Sequence, residues 1–127
     1  MTSAELKYLI AINELYDGTI GIKLTSIAEK MSVTKVSVYR AVERLEKNGY
    51  IARNEKNKVV MTERGYEQLE KFTVLIEWLS NHLQKNCRVS PEIAYNDAIG
   101  AACAFGDESR SALAEFIRKA KENSNDR

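Results

Sequence analysis

The sequence is poor in the residues that build disulfide scaffolds, metal clusters and irregular loops. Its 127 residues include one proline, one histidine, one tryptophan and two cysteines. Cys87 and Cys103 are too few for a disulfide framework, and neither stands in a CxxC or Cys/His pair with zinc-finger spacing. In a reducing compartment both are expected to be buried small hydrophobes. The sole histidine, His82, is expected at the surface. No Walker loop, GxSxG, HExxH or GxGxxG occurs, so no catalytic constellation is recognisable and a non-enzyme is expected. Glu43 and Glu46 are paired carboxylates only in sequence, on a helix that needs a solvated charged face. No apolar run approaches the roughly 18 residues of a membrane helix. The opening MTSAELKY lacks the basic-then-apolar shape of a signal peptide. A cytoplasmic protein with no membrane partner and no small-molecule substrate is expected. There is no internal repeat and no low-complexity segment.

What is present is ordinary globular composition, 44% hydrophobic and 29% charged, in a length that suits one domain or two small ones sharing a core. The net charge of +1 is uninformative, but its distribution is not. Residues 30–64 carry nine basic side chains against four acidic ones, whereas from residue 66 onward eight basic face ten acidic. A basic excess confined to one segment is the footprint of a phosphate-contacting surface.

Periodicity gives the element order. A first helix follows Thr2, which with Glu5 fits a capping box. Leu6, Leu9, Ile10, Ile12, Leu15 and Tyr16 make it apolar around much of its circumference. DGTIG breaks it, and IKL is a candidate short strand. TSIAEKM starts a second helix of about two turns, with Thr25 or Ser26 as N-cap and Ser26 and Glu29 as a capping box. After a turn at Met31, Ser32 and Val33, Thr34 caps a third helix. Its Val38, Ala41, Val42 and Leu45 recur at the i, i+3, i+4, i+7 spacing of a buried stripe, and Asn48-Gly49 ends it. Residues 50–52 and 59–62 flank a polar tip and read as a hairpin. Thr62 caps a long helix over 63–85, whose Leu69, Phe72, Ile76, Leu79 and Leu83 form a narrow seam suited to helix–helix or subunit packing and expected at the dimer interface. Pro91, after Ser90, starts a helix rich in alanine and glycine. GDES breaks it, and a last helix is expected to turn Leu113, Phe116, Ile117 and Ala120 inward before a frayed NSNDR tail. The fold expected is mainly α: a winged helix-turn-helix over 1–64 with a small β-hairpin wing, followed by a helical dimerization domain over 65–127.

The stretch SVTKVSVYRAVERLEKNGYI carries the functional reading. In a helix-turn-helix, a small residue is needed where the second helix crosses the first, and Ala28 supplies it, with Ile27 and Met31 as the apolar side. Ser32 occupies the tight turn where glycine is common, and Val33 plugs it. With the apolar quartet facing inward, the opposite arc near the start of the third helix presents Lys35, Val36, Ser37, Tyr39 and Arg40 beside Thr34, the end that enters a major groove. Arg40 can bond guanine edges or phosphate, Ser37 and Tyr39 phosphate or bases, and Val36 a thymine methyl. Lys56 and Lys58 at the wing tip would reach the backbone or minor groove. Thr25 and Ser26, near a helix N-terminus, suit a phosphate. The plainer alternative is an amphipathic helix with a solvated charged face. The short preceding helix, the basic hairpin and the clustered charge together favour double-stranded DNA.

From LTSIAEKMSVTKVSVYRAVERLEKNGYI through VVMTERGYEQLEKF to YNDAIGAACAFGDES, the chain resembles the metal-dependent repressors of the diphtheria toxin repressor family, in their short manganese-regulator branch. The resemblance covers nearly the whole chain. It implies a homodimer with an N-terminal winged helix and a C-terminal helical dimerization domain. It also implies a transition-metal site with ligands from the first helix, the long helix and a later helix. Carried over residue by residue, those positions hold Lys7 and Ile10, then Phe72 or Thr73, then Ile99, Ala102 and Cys103. Only Cys103 is a metal donor, and one soft thiolate does not hold Mn(II). The expectation is a homodimeric regulator, a repressor, that keeps the fold without the family's Mn or Fe site and without a cofactor. The alternatives are a repressor using a changed Mn, Fe or Zn ligand set drawn from His82, Cys87, Asp97 and Cys103, a redox-sensing variant at Cys103, and a winged-helix protein-interaction module that binds no DNA.

Overall fold

The capping box at the N-terminus is present in a computed structural model of the chain, which describes residues 1–18 and 20–125. The Thr2 hydroxyl accepts from the Glu5 backbone N–H at 3.1 Å, and the Glu5 carboxylate accepts from the Thr2 N–H at 3.3 Å. Helix α1, Ser3–Leu15, starts there. Helices α2, Leu24–Met31, and α3, Lys35–Lys47, follow, then strands β1, Ile51–Arg53, and β2, Val59–Met61. Helix α4, Glu63–Lys85, leads to α5, Pro91–Ala104, and α6, Asp107–Asn125. The chain divides into two compact units, Met1–Leu69 and Glu70–Arg127. The fold is mainly α, with a winged helix in the first unit.

In the first unit α1, α2 and α3 pack on one another, and β1 and β2 pair antiparallel with Ala52 opposite Val60. Leu6, Leu9, Ile12, Ile27, Val38, Val42, Leu45, Ile51 and Val59 are almost wholly buried, each large apolar side chain contributing about 1.5–3 kcal/mol of transfer free energy. Of IKL only Leu24 is helical, and Lys23 stays extended. Ile22 alone pairs, exchanging both backbone bonds with Val59 at 2.8 Å, and the chain turns helical at Leu24. Thr25 and Ser26 therefore lie inside the first turn of α2. Lys23 takes the N-cap position with no side-chain bond. Tyr16 falls just past α1 and is exposed.

Ser32 ends α2 in the left-handed region, φ 55°, where a Cβ costs about 1–2 kcal/mol. Val33 next to it is partly exposed instead of plugging the turn. Helix α3 ends in a Schellman arrangement. Gly49 sits at φ 81°, its N–H donates to the Glu46 carbonyl, and the Tyr50 N–H donates to the Leu45 carbonyl, both at 3.0 Å. The Thr62 hydroxyl donates to the Gly49 carbonyl at 2.6 Å and accepts from the Gly65 N–H at 3.1 Å. One side chain thus joins the end of α3 to the start of α4. Gly65 is required by space, because a Cβ there would lie inside contact distance of the Tyr50 carbonyl oxygen and at 2.8 Å from Met61 Cγ.

In the second unit Phe72, Leu75, Ile76, Ala94, Ala98, Ile99, Ala102, Ala114 and Ile117 are buried. Arg110 is buried as well, and its charge is fully engaged. Nε donates to the Ala102 carbonyl at 3.0 Å, Nη2 to the Phe105 carbonyl, and Nη1 to the Asp107 carboxylate at 2.8 Å. The guanidinium covers the Phe72 ring at 4.2 Å. The inward stripe of α6 runs through Arg110, Ala114 and Ile117, with Leu113 half-buried. Phe116 is 66% exposed and Ala120 also faces outward, because the helix is rotated from the phase its apolar residues suggest. Of the frayed tail expected, residues 126 and 127 lie outside the described residues, while α6 continues to Asn125. Neither cysteine is a core residue. Cys87 is exposed after α4 and Cys103 is half-buried on α5.

Candidate nucleic-acid interface

Helix α3 presents its N-terminal half to solvent because its cap and its stripe fix both its start and its rotation. The Thr34 hydroxyl accepts from the Ser37 N–H at 3.2 Å and donates to the Ser37 hydroxyl at 3.0 Å. A cap of this kind contributes about 1 kcal/mol. Val38, Ala41, Val42 and Leu45 are completely buried. That leaves Thr34, Lys35, Val36, Ser37, Tyr39 and Arg40 all exposed. Val36 is 60% exposed, an apolar side chain that the fold itself does not use.

The wing tip is built by Asn54, which no local sequence pattern marks. The Asn54 side-chain oxygen accepts from the backbone N–H groups of Lys56 and Lys58, both at 3.0 Å, and its amide nitrogen donates to the Ile20 carbonyl. Asn57 takes the left-handed position, φ 59°, which asparagine tolerates. Lys56 is exposed at this tip and Lys58 half-buried. Of the α2 pair, Thr25 is exposed and Ser26 half-buried.

The basic excess is smaller than its residue count. Lys30 pairs with Glu14 at 3.0 Å, Arg44 with the buried Glu5 at 3.6 Å, and Arg53 with Glu46 at 3.2 Å. Glu46 holds the Arg53 guanidinium above its already high ordinary pKa, against the opposing effect of burial. Arg64 stacks over the Tyr50 ring at 5.2 Å. Among the described residues no ion pair engages Lys35, Arg40, Lys47, Lys56 or Lys58. These five are the cations of residues 30–64 that neither a carboxylate nor a ring engages among the described residues. The pairings were not legible in advance, since each joins residues of different elements with no periodic signal.

The seam expected to receive a second copy is largely used within one chain. Leu69, Phe72 and Ile76 are 6%, 1% and 3% exposed, so they have no surface to offer. Leu79 and Leu83 are half-buried. The large apolar side chains exposed in the second unit are Trp78, Ile93, Tyr95, Phe105 and Phe116.

The positions that the resemblance assigns to a metal do not fit one. Lys7 is exposed, Ile10 half-buried, Phe72, Ile99 and Ala102 buried, and Thr73 and Cys103 half-buried. Alkyl, phenyl and ammonium groups coordinate nothing, and a lone thiol is a poor match for Mn(II) or Fe(II). Among the described residues no three His, Cys, Asp or Glu side chains come together as a metal site, so His82, Cys87, Asp97 and Cys103 form no alternative set. His82 is exposed, with Nδ1 2.7 Å from the Asn86 amide and its ring edge-on to Trp78.

A family model described as MarR family matches residues 1–58, the stretch from α1 to the wing tip. The HTH-type transcriptional regulator MntR of Lysinibacillus sphaericus (strain C3-41) is 28% identical over 116 residues, 91% of this chain and 79% of that protein. The hypothetical protein SSo2273 of Sulfolobus solfataricus superposes with a TM-score of 0.71 at 20% identity, over 94% of this chain and 91% of that one. The manganese regulator SloR superposes with a TM-score of 0.73 at 21% identity, over 93% of this chain and 55% of its own. The structural likenesses establish the winged-helix fold, and this chain spans about half the length of SloR. Among the described residues no helix is long and apolar enough to cross a membrane.

Proposed function

We propose that the chain is a sequence-specific DNA-binding transcriptional regulator, a homodimeric repressor, that reads the major groove with α3 and the backbone with its wing. The observation that carries this reading is the outer face of α3. Lys35, Val36, Ser37, Tyr39 and Arg40 are all exposed there, and both lysine and arginine lack a carboxylate partner among the described residues. The similarity to MntR supports the same reading. Arg40 supplies guanine or phosphate contacts, Val36 a thymine methyl contact, and Lys56 a backbone contact. The exposed apolar side chains of the second unit support a homodimer, which places two α3 helices in successive major grooves of a near-palindromic site.

The proposal extends to control. The donor set at the family's metal positions does not fit Mn(II) or Fe(II), so the repressor works without that site. The resemblance to the diphtheria toxin repressor family then concerns fold and DNA reading, not the metal switch.

The test is a mobility shift with DNA from upstream of the protein's own gene, supplemented by a sequence selected from a random duplex pool. Binding is measured at two salt concentrations, with EDTA and with added Mn(II). Equal, sequence-selective, salt-sensitive shifts in both conditions are expected. A shift only with Mn(II) refutes the metal-independent part. No selected sequence and no salt-sensitive binding in either refutes DNA reading and favours the interaction module.

A further inference from the structure

Strand β1 ends on Arg53, and the groove reading above makes no use of it. Its guanidinium carbon lies 5.3 Å from the centre of the Tyr39 ring, within the reach of a cation–π contact. Its Nη2 donates to Glu46 Oε1 at 3.2 Å. Tyr39 and Glu46 are two turns apart on one face of α3, and Arg53 arrives between them from the wing. The arginine side chain is 18% exposed and Glu46 40%. A guanidinium already neutralised by a carboxylate and laid on a ring is poorly placed to contact phosphate. Lys35, Arg40 and Lys56, by contrast, are exposed and without a carboxylate partner among the described residues.

Tyr39 itself is 44% exposed on the arc that would face a groove. An unsupported tyrosine there samples several rotamers and must lose them on binding. A cation fixed against one ring face removes that cost beforehand. We infer that Arg53, braced by Glu46, is a positioning residue that presets Tyr39, and that Tyr39 is a determinant of sequence preference. This rests on the DNA-binding reading above. It assigns the wing arginine to specificity and removes it from the set of charges that hold the phosphate backbone.

The experiment uses the full chain, the duplex selected by the wild-type protein, and a random duplex as reference. Variants are Arg53→Met, Glu46→Gln, Tyr39→Ala and the double Tyr39→Ala/Arg53→Met, each checked by thermal melting. Arg53→Met is expected to weaken the selected duplex by about 2- to 12-fold per half-site, the range for immobilising one side chain. Random-duplex affinity and the slope of log affinity against log salt stay as in wild type. In the Tyr39→Ala background the same change has no further effect on the selected duplex. Glu46→Gln frees the guanidinium, so the salt slope steepens by about 0.9 per protomer while discrimination falls, and this variant decides the matter if Arg53→Met does not fold. The inference is overturned if Arg53→Met weakens both duplexes alike with a shallower slope, if its effect adds fully to that of Tyr39→Ala, or if Glu46→Gln changes nothing. Failure of the wild-type chain to bind either duplex is seen before any variant is made, and it refutes the DNA-binding reading together with this one.

Discussion

Adding one methyl group at Gly65 should separate the wing from the helix that follows it. The ideal Cβ falls inside contact distance of the Tyr50 carbonyl oxygen and 2.8 Å from Met61 Cγ. The methionine can move aside, but the carbonyl belongs to backbone and already accepts from the Thr62 N–H at 3.1 Å. Overpacking of this kind costs about 1–3 kcal/mol, and weakening the Tyr50–Thr62 bond costs about 0.5–1.5 kcal/mol more. Helix propensity returns at most about 1 kcal/mol, because Gly65 lies in the first turn of α4. Gly65→Ala should therefore destabilise by about 0.5–3.5 kcal/mol, the sum of these opposing effects. Gly100→Ala is the internal control. It makes the same chemical change in the middle of α5, where nothing lies within 4 Å of the added carbon, and should stabilise by about 0.5–1 kcal/mol. Urea unfolding followed by circular dichroism measures both midpoints. Opposite signs are expected. A neutral or stabilising Gly65→Ala would refute the close approach of β2, Tyr50 and α4 on which the wing's position depends.

Other outcomes follow from the same structure. Ser32→Gly relieves a left-handed residue at φ 55° but loosens the unfolded chain, so a net gain of about 0.5–1 kcal/mol is expected in the same unfolding assay; a loss would mean that the serine hydroxyl does something in the turn. Lys56→Ala should weaken selected and random DNA alike and reduce the salt slope by about 0.9 per protomer. Arg40→Ala should erode sequence preference as well, and titrations at several salt concentrations would contradict these roles if both variants behaved identically. Phe116→Asp, at a 66% exposed site, should shift sedimentation from dimer toward monomer without lowering the unfolding midpoint of the monomer. An unchanged dimer would place the subunit contact elsewhere.

Local signals were the ones the sequence expressed clearly. Thr2, Thr34 and Thr62 cap where hydroxyl-to-helix spacing says they should, and Gly49 ends α3 as a left-handed glycine. Pro91 opens α5 after Ser90. Each depends on three or four neighbouring residues. What the sequence concealed depends on partners distant along the chain. The N-cap of α2 moved to Lys23 because Ile22 is held by Val59, far along in the wing. The phase of α6 follows buried Arg110, which carries no apolar signal and whose partners include the carbonyls of Ala102 and Phe105. The α4 seam looked like an interface because a heptad-like pattern is the same whether the covering helix belongs to this chain or to another. At the DNA face, the exposed residues of α3 were legible from the apolar stripe alone, whereas the neutralised state of Arg44 and Arg53 was not.

Those internal ion pairs bear on how long such a protein would linger on irrelevant DNA. Near 0.15 M salt each phosphate contact raises affinity for any duplex by about fivefold. Were Lys30, Arg44 and Arg53 each within reach of a phosphate, holding all three on Glu14, Glu5 and Glu46 would lower residence on random sequence by at most about a hundredfold per protomer, and by less where the pair is exposed and exchanges readily. A genome offers about a million or more competing sites, and time spent on them is time lost to the operator. On the DNA-binding reading, the acidic partners would act as a brake on indiscriminate sticking, shortening each unproductive stop in the search.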